Sequence, residues 1–166
     1  MAQVSFIIGG ARSGKSSRAL QLCTTAPRIF VATAEPLDDE MAERIALHQT
    51  ERGPDWDVIE APLNIAEVIT AQKTGTLLID CLTLWLSNLM HHERDVESET
   101  AKLIEALGSA TVDVVLVSNE VGMAIAPENA LARRFRDAQG RLNQRIAAQS
   151  DHVELVAAGL PLKLKG

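Results

Sequence analysis

Short apolar, β-branched runs alternate along this chain with stretches whose apolar positions recur at helical spacing. Val4 to Ile8 predicts a buried strand and Ser16 to Leu22 the helix that follows it. Arg28 to Ala34 predicts a second strand, and Pro36 with Asp38, Asp39 and Glu40 opens a helix over 38–50, stopped by Gly53-Pro54. Trp56 to Glu60 predicts a third strand and Leu63 to Gln72 a helix that ends near Gly75. Thr76 to Asp80 predicts a strand closed by an acid, and Thr83 to Met90 an apolar helix. His91 to Asp95 is a polar connection in which both histidines look solvated. Val96 to Leu107 predicts a helix, Val112 to Val117 a strand, and Asn129 to Gln149 a long amphipathic helix. Val153 to Ala157 is expected to be the last strand.

Repeated strand-then-helix units imply a mainly parallel sheet covered by helices on both faces, a three-layer α/β fold. No repeat or linker interrupts the pattern, so residues 1–166 are expected to form one domain. The net charge of −6 disfavours a nucleic-acid partner or an anionic membrane surface. The most apolar later stretch, 77–90, is broken by Asp80 and by Ser87-Asn88, so no membrane span is expected. Nothing resembles a secretory signal, which leads to the expectation of a soluble, cytoplasmic protein. Cys23 and Cys81 have neither metal-site nor redox spacing and read as buried, reduced thiols.

The first predicted turn carries the chemistry. Gly9-Gly10-Ala11-Arg12-Ser13-Gly14-Lys15-Ser16 fits G-x-x-x-x-G-K-[ST], the phosphate-binding P-loop of nucleotide triphosphatases, and it stands between a strand and a helix as that motif requires. Glycine lets the backbone turn tightly and aim N–H groups at phosphate oxygens. The helix N-terminus adds positive potential. Lys15 suits the β- and γ-phosphates, and the Ser16 hydroxyl suits magnesium.

Ligands of such sheets lie beyond the carboxyl ends of the strands. That rule brings the P-loop together with Thr33-Ala34-Glu35, Asp80 and Ser118-Asn119-Glu120. Asp80 reads equally as a magnesium-side acid and as a strand-end cap for the next helix. Asn119 and Glu120 read either as lining an acceptor pocket or as satisfying the loop after them. Ser118 to Val121 lacks the N-K-x-D pattern that reads guanine in regulatory GTPases. On the predicted helix, His48 shares a stripe with Met41 and Ile45, with Arg44 and Arg52 one turn to either side. A histidine so placed is either a satisfied core residue or, with two arginines to hold phosphate, a neutral nucleophile.

Together these residues carry a resemblance. The P-loop, Thr33-Ala34, Asp39-Glu40-Met41, Arg44-Ile45, His48, Trp56, Glu60-Ala61-Pro62 and Ser118 to Gly122 recur in the order and spacing of a known family. Pro127-Glu128-Asn129, Arg133, Phe135-Arg136-Asp137 and Gly140 to Gln144 continue the match. The chain resembles the bifunctional adenosylcobinamide kinase/adenosylcobinamide-phosphate guanylyltransferases of cobalamin synthesis, over nearly its whole length. The resemblance implies phosphorylation of adenosylcobinamide by ATP or GTP. Transfer of GMP from GTP through a guanylylated histidine would follow, with release of pyrophosphate. It implies magnesium, a corrinoid substrate and a homotrimer, to which the long helix around Arg133 to Gln144 would contribute. Carried onto this sequence, the histidine is His48, and Thr33, Ala34 and Glu35 contact nucleotide. Gln49, Thr50, Glu51 and Arg52, with Glu60 and Asp80, complete the GTP site, and Ser16 and Asp80 are the metal positions. Two other readings are a single-function P-loop kinase of another small alcohol, with His48 structural, and a nucleotide-binding regulatory module.

Overall fold

The computed structural model describes the backbone of residues 1–166 and every side chain except those of Arg44, His48 and Glu51. The elements run β1 (Val4–Gly9), α1 (Lys15–Leu22), β2 (Arg28–Ala32), α2 (Asp39–Arg52), β3 (Asp57–Glu60), α3 (Ile65–Ala71), β4 (Thr76–Asp80), α4 (Leu82–His91), α5 (Val96–Gly108), β5 (Asp113–Asn119), α6 (Ala130–Gln149), β6 (His152–Ala157) and β7 (Leu160–Lys165). Seven strands form one sheet in the order β3-β2-β4-β5-β1-β6-β7. Every pairing is parallel except β6 with β7. From β1 the chain moves to one side of the sheet, and from β5 it crosses to the other. A reversal of this kind opens a crevice at the carboxyl ends of the strands.

The central strands are buried on both faces, which is why they read as continuous apolar runs. One face packs Phe6, Leu77, Ile79, Val114 and Leu116 against α3, α4, α5 and α6. Trp85 anchors that layer: it is fully buried, and its indole N–H donates to the Leu63 carbonyl at 2.7 Å. The other face, with Ile7, Leu78, Val115 and Val117, is covered more thinly, by Ala19 and Cys23 with Leu20 and Leu22. Three helices begin as their sequence signals require. The side chains of Asp38, Asp95 and Asn129 accept hydrogen bonds from N–H groups in the first turns of α2, α5 and α6.

The expectation that β6 is the last strand is overturned. Ala158 and Gly159, at φ 52° and 77°, make a two-residue turn that sends β7 back antiparallel along β6. The pattern Leu160-Pro161-Leu162-Lys163-Leu164-Lys165 does alternate with period two. Pro161 argues against a strand, but β7 is the sheet edge, where a missing N–H is tolerated. The second strand also stops at Ala32 rather than Ala34, because the Thr33 side chain bonds across to Cys81 instead of continuing the ladder.

Both cysteines are buried and unpaired. Burial pushes the Cys23 thiol up to about 12 and the Cys81 thiol up to about 11. A thiol so shifted is less than about one part in a hundred thiolate at pH 8, and the thiolate is the reactive form. Native protein titrated with an aromatic disulfide reagent at pH 8 should therefore react at neither cysteine, and both should react once it is unfolded.

Candidate active site

The P-loop closes against its own strand. A side-chain carbon at Gly9 would meet both the Ser13 hydroxyl and the Val156 carbonyl at 2.5 Å, so no larger residue fits. Arg12 and Gly14 are left-handed, at φ 53° and 93°, and turn the chain into α1. The Lys15 ammonium donates to the Gly10 carbonyl at 3.0 Å and so lies back over the loop. Ser13 is only 8% exposed, and its buried hydroxyl has no hydrogen-bond partner among the described residues. Such a group is suited to an arriving phosphate oxygen.

Two neighbours hold the loop. The Glu120 N–H donates to the Gly9 carbonyl at 2.9 Å, and the Gly159 N–H donates to the Ser13 carbonyl at 2.8 Å. The β6–β7 turn missed in the sequence is therefore a wall of the site. Arg18 on α1 adds a bidentate pair with Glu154 on β6, at 2.7 and 2.8 Å. That hydrogen-bonded guanidinium holds the Glu154 carboxyl below its usual range.

Across the sheet edge, Asp80 ends β4, which lies two strands from β1, and Glu60 ends β3, two strands further on. At ~4.8 Å per strand the row from P-loop to Glu60 is about 19 Å long. Arg52 closes α2 onto this row. Its guanidinium lies 3.7 Å from the centroid of the Phe30 ring, and burial lowers its pKa while the Asp80 charge opposes that shift. Trp56 meets Phe30 edge-on and is itself covered by Arg28.

The β2 end is positioned by α4. Thr33 is fully buried: its hydroxyl donates to the Cys81 carbonyl and accepts from the Cys81 N–H, both at 2.8 Å. Its part here is to align β2 with β4, not to face a ligand. Asn88 donates to the Thr33 carbonyl at 2.7 Å and to the Pro62 carbonyl at 3.0 Å. One turn on, the His92 ring nitrogen lies 3.0 Å from a Glu35 oxygen. His92 is thus a partner of Glu35 rather than a free loop histidine. Ala34 sits half-buried between these two anchors. The spacing of Asn88 and His92 by one helical turn puts both on one face of α4 but does not name their partners.

The two readings of Asn119 and Glu120 resolve separately. Both Glu120 oxygens accept from the loop, from Gly122 N–H at 2.9 Å and Met123 N–H at 3.0 Å. Asn119 donates its N–H to Thr83 and accepts from Asn143 at its carbonyl, while its side-chain oxygen has no partner among the described residues. Gln139 and Asn143 on α6 grip Ser118 through bonds of 2.8–2.9 Å.

Gln49 and Thr50 are exposed on α2, and the Thr50 hydroxyl donates back to the Ala46 carbonyl. The side chains of His48, Glu51 and Arg44, expected at the nucleotide, lie outside the described residues. No described residue of α2 is buried. Among the described residues no cluster of three His, Cys, Asp or Glu could hold a metal by itself. A hydroxyl at Ser16 and a carboxylate at Asp80 instead fit magnesium arriving with phosphates, which takes few protein ligands.

Stability at low pH should expose the Arg18–Glu154 pair. Glu154 titrates lower folded than unfolded, so its contribution is present above the usual carboxylate range and is lost as pH falls through the folded value. Glu154→Gln should lower the unfolding midpoint at pH 7, and the gap to the parent should close below about pH 4. Thermal melts across that range measure it; an unchanged gap at pH 3 would refute the assignment.

The profile of the family described as "Cobinamide kinase / cobinamide phosphate guanyltransferase" matches residues 5–164. Bifunctional adenosylcobalamin biosynthesis protein CobU of Salmonella typhimurium is 41% identical, with 96% of this chain and 98% of that protein covered. Bifunctional adenosylcobalamin biosynthesis protein CobP of Pseudomonas aeruginosa is 40% identical, with 96% of each covered. Among solved structures, the P4 protein of bacteriophage phi6 in complex with ADP superposes with a TM-score of 0.50 at 15% identity. That match covers 96% of this chain and 52% of the P4 chain, and it speaks to the fold alone.

Proposed function

We propose that this chain, which belongs to the cobinamide kinase / cobinamide phosphate guanyltransferase family, carries out both reactions at one strand-end row. It phosphorylates the aminopropanol hydroxyl of adenosylcobinamide with ATP or GTP, and then passes GMP from GTP to the new phosphate, giving adenosylcobinamide-GDP and pyrophosphate. The observation that carries this reading is the pairing of a braced P-loop with a helix, α2, that buries none of its described residues. A helix without a share in the core can be re-aimed at little cost, which suits two reactions sharing one nucleotide site.

In the kinase step the loop N–H groups and the α1 N-terminus hold the phosphates. Lys15 leaves the Gly10 carbonyl to neutralise charge on the transferring group. Ser16 and Asp80 would hold magnesium, which when bound screens the phosphate charge from the incoming hydroxyl. In the transfer step a neutral His48 imidazole attacks the α-phosphorus of GTP and pyrophosphate leaves. An oxygen of the substrate phosphate then displaces the imidazole from the P–N bond. Splitting the transfer in this way removes the pyrophosphate charge before the substrate phosphate approaches, and gives that second attack an imidazole as its leaving group. Arg52, held on Phe30, is the pivot about which α2 would bring His48 to the nucleotide. Glu35, Gln49, Thr50, Glu51 and Glu60 complete the nucleotide contacts. The active form is a homotrimer in the cytoplasm, with α6 at the subunit contact; among the described residues, no helix is long and apolar enough to cross a membrane.

Lys15→Ala should reduce cobinamide phosphorylation at least about a hundredfold while the protein stays folded. His48→Ala should keep the kinase step and lose guanylyl transfer. Protein incubated with α-labelled GTP should carry label that is stable to alkali and released by acid. Equal labelling of His48→Ala and parent would move the nucleophile elsewhere, and would favour a single-function kinase if neither is labelled. Sedimentation showing a stable, active monomer would overturn the trimer.

A further inference from the structure

Between β5 and α6 the chain makes a loop that is held firmly yet contributes nothing to the core. At its start the Glu120 carboxylate takes the N–H groups of Gly122 and Met123. At its end Arg133 donates to the carbonyls of Pro127 and Glu128, at 2.9 and 2.6 Å, and Asn129 caps α6 through the Ala132 N–H. From this frame project Met123 and Ile125, 83% and 95% exposed, and on the next turn Leu131, 64% exposed. Loops that are merely solvated do not spend five side-chain hydrogen bonds on presenting bulky apolar groups to water. Isolated exposed apolar residues are ordinary, but a set of them on a braced loop beside a reaction centre is a binding surface.

Position and charge say what it binds. The Glu120 N–H is bonded to Gly9 of the P-loop. Three and five residues further on, Met123 and Ile125 lie within about 11 and 18 Å of that point by chain length alone. Residues 121–127, Val-Gly-Met-Ala-Ile-Ala-Pro, carry no charge, in a chain that is 23% charged. The phosphates of a nucleotide would favour cations here. A corrinoid presents instead a broad, flat macrocycle edged with methyl and amide groups, and its hydroxyl hangs on a short arm that must reach the phosphates. We infer that Met123 and Ile125, with Leu131 on the first turn of α6, form the apolar shelf on which the macrocycle of the acceptor rests while its hydroxyl enters the P-loop. The inference rests on the function proposed above and names the acceptor contacts within it. These residues set acceptor specificity; they take no part in holding GTP.

Kinase assays with adenosylcobinamide (below, cobinamide) as the acceptor, run on the parent and on the double variant Met123→Ser/Ile125→Ser, test the shelf. Loss of two apolar contacts should raise KM for cobinamide by about tenfold or more. KM for GTP and self-labelling by α-labelled GTP should stay within about twofold of the parent, because the P-loop is untouched and remains folded. The volume-conserving pair Met123→Leu/Ile125→Val should retain the parent KM for cobinamide. An active parent and a double variant with unchanged KM for cobinamide would overturn the shelf alone. A parent inert toward cobinamide would overturn the proposed function and the shelf with it. A variant that sediments as a smaller species than the parent would assign these residues to a subunit contact and overturn the shelf.

Discussion

Backbone hydrogen bonds from outside the P-loop hold it open: Glu120 N–H to the Gly9 carbonyl on one flank, and Gly159 N–H to the Ser13 carbonyl on the other. Everything at the reactive edge depends on that suspension. A loop that must offer its own N–H groups to a ligand cannot use them to stabilise itself, so its carbonyls are tied to neighbours instead. β1 runs between β5 and β6 in parallel register, with Gly9 opposite both Asn119 and Val156, and this register delivers both donors. The Arg18–Glu154 pair then fixes the helix whose N-terminus completes the loop.

The helices on the thicker face extend the same logic. α6 reaches the end of β5 through Gln139 and Asn143, whose amides bond to each other, to the Ser118 hydroxyl and to the Asn119 carbonyl. α4 reaches the end of β2 through Asn88 and His92. Buried polar groups such as Gln139, Asn143 and Asn88 add little net stability, but they permit only one alignment of helix against strand. The reactive edge is thereby assembled from the ends of five strands, β1, β5, β4, β2 and β3, without depending on flexible loops for its geometry.

Against this rigid frame α2 stands apart. It is capped at Asp38 and held at its far end by Arg52 on Phe30, with no described residue buried between. A cation–π contact contributes on the order of 1 kcal/mol, enough to orient a helix and small enough to be given up when a ligand offers more. The contrast between a fixed phosphate cradle and a lightly held helix is the physical basis for proposing two successive reactions at one site.

The chain's periodicity and its P-loop spacing determined the α/β class and the loop–helix phosphate cradle, because strand and helix patterns are local properties of consecutive residues. The family match over residues 5–164 accords with the motifs from Thr33 to Gln144 that carried the resemblance. Tertiary structure alone decided which side chains are already committed. Thr33 belongs to Cys81, Glu120 to its own loop, and His92 to Glu35, and each partner lies on another element or across a turn that spacing does not encode. It also decided β7. Its period-two alternation contains a proline and its residues are wholly exposed, so burial does not drive it; only the free edge of β6 makes it a strand, and only that strand's turn brings Gly159 to the P-loop.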